Sequence, residues 1–75
     1  MALITKFERI TMTKNKIHEP ASCTYSIFDD ADGRYLQIDT YGSSKRRIKG
    51  KKSQTIQLDK AGGRELVRII SEAFG

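Results

Sequence analysis

The chain has 75 residues, 37% of them apolar and 31% charged, with a net charge of +5 and a mean hydropathy of -0.54. That balance excludes a disordered tail and a membrane span, because no apolar run reaches the roughly 20 residues that a bilayer needs. Lys6, Glu8 and Arg9 break the apolar stretch at the N-terminus, so no signal peptide is expected, and the expected compartment is the cytoplasm: nucleoid-associated in a bacterium, nuclear in a eukaryote. One domain of this length sits near the lower limit for a self-sufficient core, which makes a homodimer the expected way to bury more surface.

In the first segment, residues 1–22, Leu3, Ile4, Phe7 and Ile10 have spacings compatible with a short helix. Thr5, Ile10, Thr11 and Thr13 favour a strand instead, and both readings stand. Residues 15–22, with the only proline at Pro20, form a loop. Residues 23–28, CTYSIF, suit a strand, and DDADG at 29–33 suits a hairpin turn in which Gly33 takes positive φ. Residues 34–41, RYLQIDTY, alternate strictly: Leu36, Ile38 and Thr40 share one face, while Tyr35, Gln37, Asp39 and Tyr41 share the other. A basic loop occupies 43–52. Beyond it, 53–58 alternate again, with Ile56 and Leu58 opposite Thr55 and Gln57.

Asp59 is a strong N-cap for a helix over 59–74, whose broad apolar stripe comprises Leu66, Val67, Ile69, Ile70, Ala73 and Phe74. Gly62 and Gly63 in its first turns each cost up to about 1 kcal/mol relative to alanine. Neutral drift near a frayed helix end would explain them, and so would close approach of a neighbouring strand or of a second subunit. The expected fold class is therefore α+β: a curved antiparallel sheet of three or four strands over 23–58, with one C-terminal helix packed on one face, in a single domain spanning 1–75.

The charge is not spread evenly. Six of the 14 basic side chains, Lys45, Arg46, Arg47, Lys49, Lys51 and Lys52, lie in residues 43–52, which contain no acid. The rest of the chain holds eight bases against nine acids, so the whole positive excess resides in ten residues. A patch of this kind attracts polyanions and gains affinity by releasing counterions condensed on phosphates. It lacks the apolar face that would insert into a membrane surface. A solvated loop, a nuclear-localisation or heparin-type patch and a dock for an acidic protein are its alternative readings.

Catalysis has little to stand on, and no enzyme, cofactor or metal is expected. His18 lies in a loop beside Glu19 without a nucleophile, and Cys23 is expected to be a small core residue, protonated for want of a neighbouring base. Asp29, Asp30, Asp32 and Gly33 lack the closing glutamate of a calcium loop. What coheres is the basic loop with Tyr35 and Tyr41. Aromatic rings on an open sheet give stacking platforms worth about 1–3 kcal/mol per base, and cations hold the phosphates. Arg46 and Arg47 can also stack. Tyr35 and Tyr41 lie six residues apart, roughly 20 Å along a strand, so they would meet different nucleotides.

The order of these parts over about residues 23–74 resembles the single-stranded-DNA-binding transcriptional coactivators called positive cofactor four, and their small bacterial relatives. The likeness rests on YLQIDTYG, the basic glycine-containing loop and KKSQTIQLDKAGGRELVRII. It implies that Lys51 and Lys52 lie at the nucleic-acid-facing start of a strand and Tyr41 near an aromatic strand end. It also implies a dimer uniting two curved sheets that grips unpaired strands. Gly62 and Gly63 stand where the family usually carries a large aromatic near the helix start, a departure that bears on helix packing and dimer geometry. The expected function is binding of single-stranded nucleic acid, DNA favoured over RNA, with little sequence preference and in a transcription-related setting. RNA binding and a protein-interaction role are the alternatives.

Overall fold

The computed structural model describes residues 1–43 and 52–75. Its elements follow in the order β1 (Ala2–Ile4), β2 (Ala21–Asp30), β3 (Gly33–Ser43), β4 (Gln54–Leu58) and α1 (Lys60–Phe74). The strands lie side by side as β1-β4-β3-β2 in an open sheet, with α1 packed on one face. The α+β class and the helix on one face are as the sequence implies. The sheet, however, is mixed: β2–β3 and β3–β4 are antiparallel, whereas β1 runs parallel to β4. Parallel neighbours need a connection of a dozen or more residues rather than a hairpin, and the long path from β1 to β4 through β2 and β3 provides it. Of the two readings for residues 1–13, the strand holds for 2–4 alone; the residues that follow, up to Pro20, form neither helix nor strand.

The hairpin turns over Ala31 and Asp32. Asp30 pairs with Gly33, whose φ of +147° suits glycine, and Asp30 Oδ1 accepts the Ala31 N–H at 2.6 Å. From there the register sets the faces. Leu36 pairs with Leu58 and Ile27, and Ile38 pairs with Ile56 and Tyr25, so all six lie on the helix side. Gln37 pairs with Gln57 and Ser26, and Asp39 with Thr55 and Thr24, on the opposite side. Near the far end of β3 the ladder slips between Cys23–Thr40 and Ala21–Ser43, leaving Tyr41 and Gly42 opposite Ser22 alone. Gly42, at φ +80°, lets the chain form this bulge.

α1 starts as the sequence implies. Asp59 Oδ1 accepts the Gly62 N–H at 2.7 Å, and Gly75 closes the other end through its N–H to Ser71 O at 2.8 Å. A Cβ on Gly62 would stand 2.8 Å from Ile4 O, so this glycine is where α1 meets the backbone of β1. Among the described residues, nothing lies within 4 Å of such an atom on Gly63.

The helix packs over β3 and β4, and this divides the stripe that the sequence predicts as one face. Leu66 and Ile69 are half-buried, but Val67, Ile70 and Phe74 stay exposed, at 65%, 48% and 86%. α1 packs over β3 and β4 rather than over β2 at the sheet edge, and Tyr25 and Ile27 are exposed on the helix side. The same geometry corrects the expectation for Cys23, which is exposed rather than in the core. Among the described residues, Leu58 is the one apolar side chain that is buried, at 2%.

Candidate nucleic-acid interface

The face turned away from α1 is built by alternation in three strands. β2 contributes Thr24, Ser26 and Phe28, β3 contributes Tyr35, Gln37, Asp39 and Tyr41, and β4 contributes Thr55 and Gln57. β1 adds Leu3 beside Gln57. At the hairpin end, Phe28 and Tyr35 sit opposite each other with ring centroids 5.5 Å apart and planes 20° from parallel. This is a stacked cross-strand pair.

Next to the rings lies a chain of polar side chains. Gln57 Nε2 donates to Gln37 Oε1 at 2.9 Å, and Gln37 Nε2 donates to Asp39 Oδ2 at 3.0 Å. Thr55 Oγ1 donates to Asp39 Oδ1 at 2.6 Å, and Lys52 Nζ lies 3.5 Å from Asp39 Oδ2. Asp39 is only 4% exposed, yet its carboxylate is satisfied from three sides. The hydrogen bonds from Thr55 and then Gln37 hold its pKa below the ordinary 3.8, burial opposes them, and Lys52 adds to the lowering. Tyr41 shares a hydrogen bond of 2.8 Å with Thr24 Oγ1.

The basic segment joins this face at the end opposite the rings. Ser53 N donates to Thr40 O at 2.7 Å where the chain re-enters β4, so β3 and β4 bring both ends of the segment to the same edge of the sheet. Of the six predicted phosphate ligands, Lys45, Arg46, Arg47, Lys49 and Lys51 lie outside the described residues. Lys52 is half-exposed and leans on Asp39, as an ion pair with a carboxylate of its own molecule. Tyr35 and Tyr41 are both on the face that the alternation assigns. Phe28 is the functional candidate that sequence reasoning missed. A two-residue turn at Ala31–Asp32 sets Phe28 against Tyr35, and that register was the signal.

An expected result follows for Asp39. Because its pKa is lowered in the folded chain, its contribution to stability is complete above the ordinary value of 3.8 and fades as pH falls through the lowered one. Asp39→Asn should lower the melting temperature at pH 7 and flatten its fall at acid pH. Thermal unfolding of both proteins from pH 7 to pH 2 measures this, and parallel curves would refute it.

Fold and face together define a small α+β domain whose polar and aromatic sheet surface ends at a cationic connection. No protein-family model, curated protein or solved structure matches the chain. Among the described residues no helix is long and apolar enough to cross a membrane, and no group of three or more His, Cys, Asp or Glu could hold a metal ion.

Proposed function

We propose that this protein binds single-stranded nucleic acid, DNA in preference to RNA, without strong sequence preference and without catalysing a reaction. The observation that carries the reading is an arrangement. The segment holding the whole positive excess of the chain leaves and rejoins the sheet at one end of a face whose other end carries stacked Phe28 and Tyr35. A polyphosphate held at the loop would run along β3, with bases over the rings and over Gln37 and Gln57. The distance along β3 between Tyr35 and Tyr41, roughly 20 Å, suits several nucleotides in an extended strand. A duplex keeps its bases stacked on each other and offers them to neither ring. The resemblance of residues 23–74 to the positive cofactor four coactivators supports the same reading and suggests a role in transcription.

Asp39 works against binding, since a carboxylate on this face repels phosphate and occupies Lys52. The same Asp39→Asn variant should therefore bind an oligonucleotide more tightly while being less stable.

The deciding experiment compares single-stranded DNA, duplex DNA and RNA by fluorescence anisotropy at two salt concentrations. Single-stranded DNA should bind best. Its affinity should fall with salt at a logarithmic slope of about -0.7 per phosphate neutralised, reaching about -4 if all six bases engage. Absence of any oligonucleotide binding at low salt would overturn the proposal and favour an acidic protein as the partner of the loop.

A further inference from the structure

One side chain orders the middle of the polar face. Asp39, its pKa below the ordinary 3.8, is a carboxylate at neutral pH: it accepts hydrogen bonds and donates none. It is only 4% exposed, so its neighbours satisfy it by turning their donors inward. Thr55 commits its hydroxyl proton to Oδ1 at 2.6 Å. Gln37 turns its amide nitrogen to both oxygens, at 3.3 and 3.0 Å.

That commitment passes along the row. With its nitrogen facing Asp39, Gln37 has only Oε1 to offer Gln57, which answers with Nε2 at 2.9 Å. What Gln57 has left is its oxygen. The next residue in the row is Leu3 of β1, whose side chain carries no polar group, so the run of amides stops there. Among the described residues no donor meets Gln57 Oε1. Reversing Gln57 would set oxygen against oxygen, and reversing both amides would set an oxygen against the carboxylate. Thr55 is in the same position, since a hydroxyl whose proton is spent on Asp39 presents only lone pairs outward. Gln57 and Thr55 are both half-buried, open to a ligand on this face.

We infer that this face prefers bases bearing an exocyclic amine (cytosine, adenine and guanine) to thymine and uracil, with Asp39 setting the preference and Gln57 reading it. The preference rests on the single-stranded nucleic-acid reading and adds a class of base to it. The N4 amine of cytosine or the N6 amine of adenine projects from the ring edge and donates to an acceptor, where thymine and uracil turn a carbonyl oxygen. The one N–H on the pairing edge of thymine or uracil is recessed between two carbonyl oxygens, which repel Gln57 Oε1 and Thr55 Oγ1. The second N–H of Gln57 finds the O2 carbonyl that cytosine and uracil share, so it does not separate them. One neutral hydrogen bond made by one base and denied to the other is worth roughly 2- to 12-fold in affinity. Such a factor biases binding without confining it to one sequence.

The test compares oligodeoxycytidine with oligodeoxyuridine of equal length, by anisotropy titration of the full chain at neutral pH. The two bases share ring size and O2, and differ only at N3 and C4. The parent should bind the cytidine strand more tightly by the factor above. Gln57→Met keeps the length of the side chain and removes both polar atoms, so it should bring the ratio of affinities to about one. Asp39→Asn should shrink the ratio too, because an asparagine amide can turn nitrogen as well as oxygen toward Gln37. The ratio is informative because a weakened fold or an altered net charge changes both affinities alike. If neither strand binds, the nucleic-acid reading fails and the preference falls with it. If the parent binds both strands equally, that reading stands and the preference is overturned. A ratio that either substitution leaves unchanged also overturns it, since another part of the molecule would then be choosing the base.

Discussion

Replacing Gly62 by alanine should lower the melting temperature by roughly 4–24 °C, even though alanine is the better helix former. The helix itself would gain up to about 1 kcal/mol. Against that gain, the new Cβ would stand 2.8 Å from the Ile4 carbonyl oxygen and 3.1 Å from Asp59 Oδ1. The first atom belongs to the backbone of β1 and cannot rotate away. The second is the carboxylate that caps the helix, so the methyl group presses on strand and cap together. Overpacking costs about 1–3 kcal/mol and a disturbed cap about 1 kcal/mol, leaving a net loss of roughly 1–3 kcal/mol. In a domain of this size each 1 kcal/mol moves the midpoint by about 4–8 °C. The mechanism makes a second, sharper demand: in a chain lacking residues 1–4 the same substitution should cost much less, because its chief obstacle has gone. Equal losses in both backgrounds would show that β1 is not what requires the glycine.

That contact also shows where the sequence is informative and where it stops. Alternation in RYLQIDTY assigns both faces of β3, because a strand must turn successive side chains to opposite sides. Asp59 marks the helix start by its own chemistry. The sequence marks the paired glycines alike, and among the described residues only Gly62 has a close neighbour. The identity of the neighbour depends on β1, three residues too short to carry a period, which pairs with β4 from the far end of the chain. Burial of the helix stripe fails for a related reason. Val67, Ile70 and Phe74 look like Leu66 and Ile69 in the sequence, and only the position of α1 over β3 and β4 rather than β2 separates them. Cys23 follows β2 into the open.

In the candidate site, Tyr35 and Tyr41 were legible from alternation alone, since each lies on the strand with the clearest pattern. Phe28 required the hairpin register. The ion pair of Lys52 with Asp39 joins the last residue of the basic segment, just ahead of β4, to the middle of β3, and no local spacing announces it. A long connection between two strands conceals which of its cations return to the sheet.

The face separates two sources of affinity, and their separation gives the largest expected effect on binding. Phe28→Ala with Tyr35→Ala removes the stacked pair at the hairpin end without changing any charge. Each base that loses its platform should cost about 1–3 kcal/mol, a fall of roughly 5- to 150-fold in affinity for single-stranded DNA. The salt slope should stay where it was, because no phosphate contact is lost. Arg46→Ala with Arg47→Ala should do the opposite to the slope, making it shallower by about 1.4 as two phosphates keep their counterions. Tyr35→Phe keeps the ring and should bind nearly as the parent does. The hairpin survives loss of the rings if far-ultraviolet circular dichroism is unchanged, since a cross-strand aromatic pair contributes only about 0.2–1 kcal/mol. Anisotropy titrations of the three variants across a salt series read both quantities at once. If removing the rings left affinity intact while the arginine pair abolished it, the strand would be held by the loop alone. The polar face would then have no part in binding, and the preference for unpaired bases would lose its physical basis.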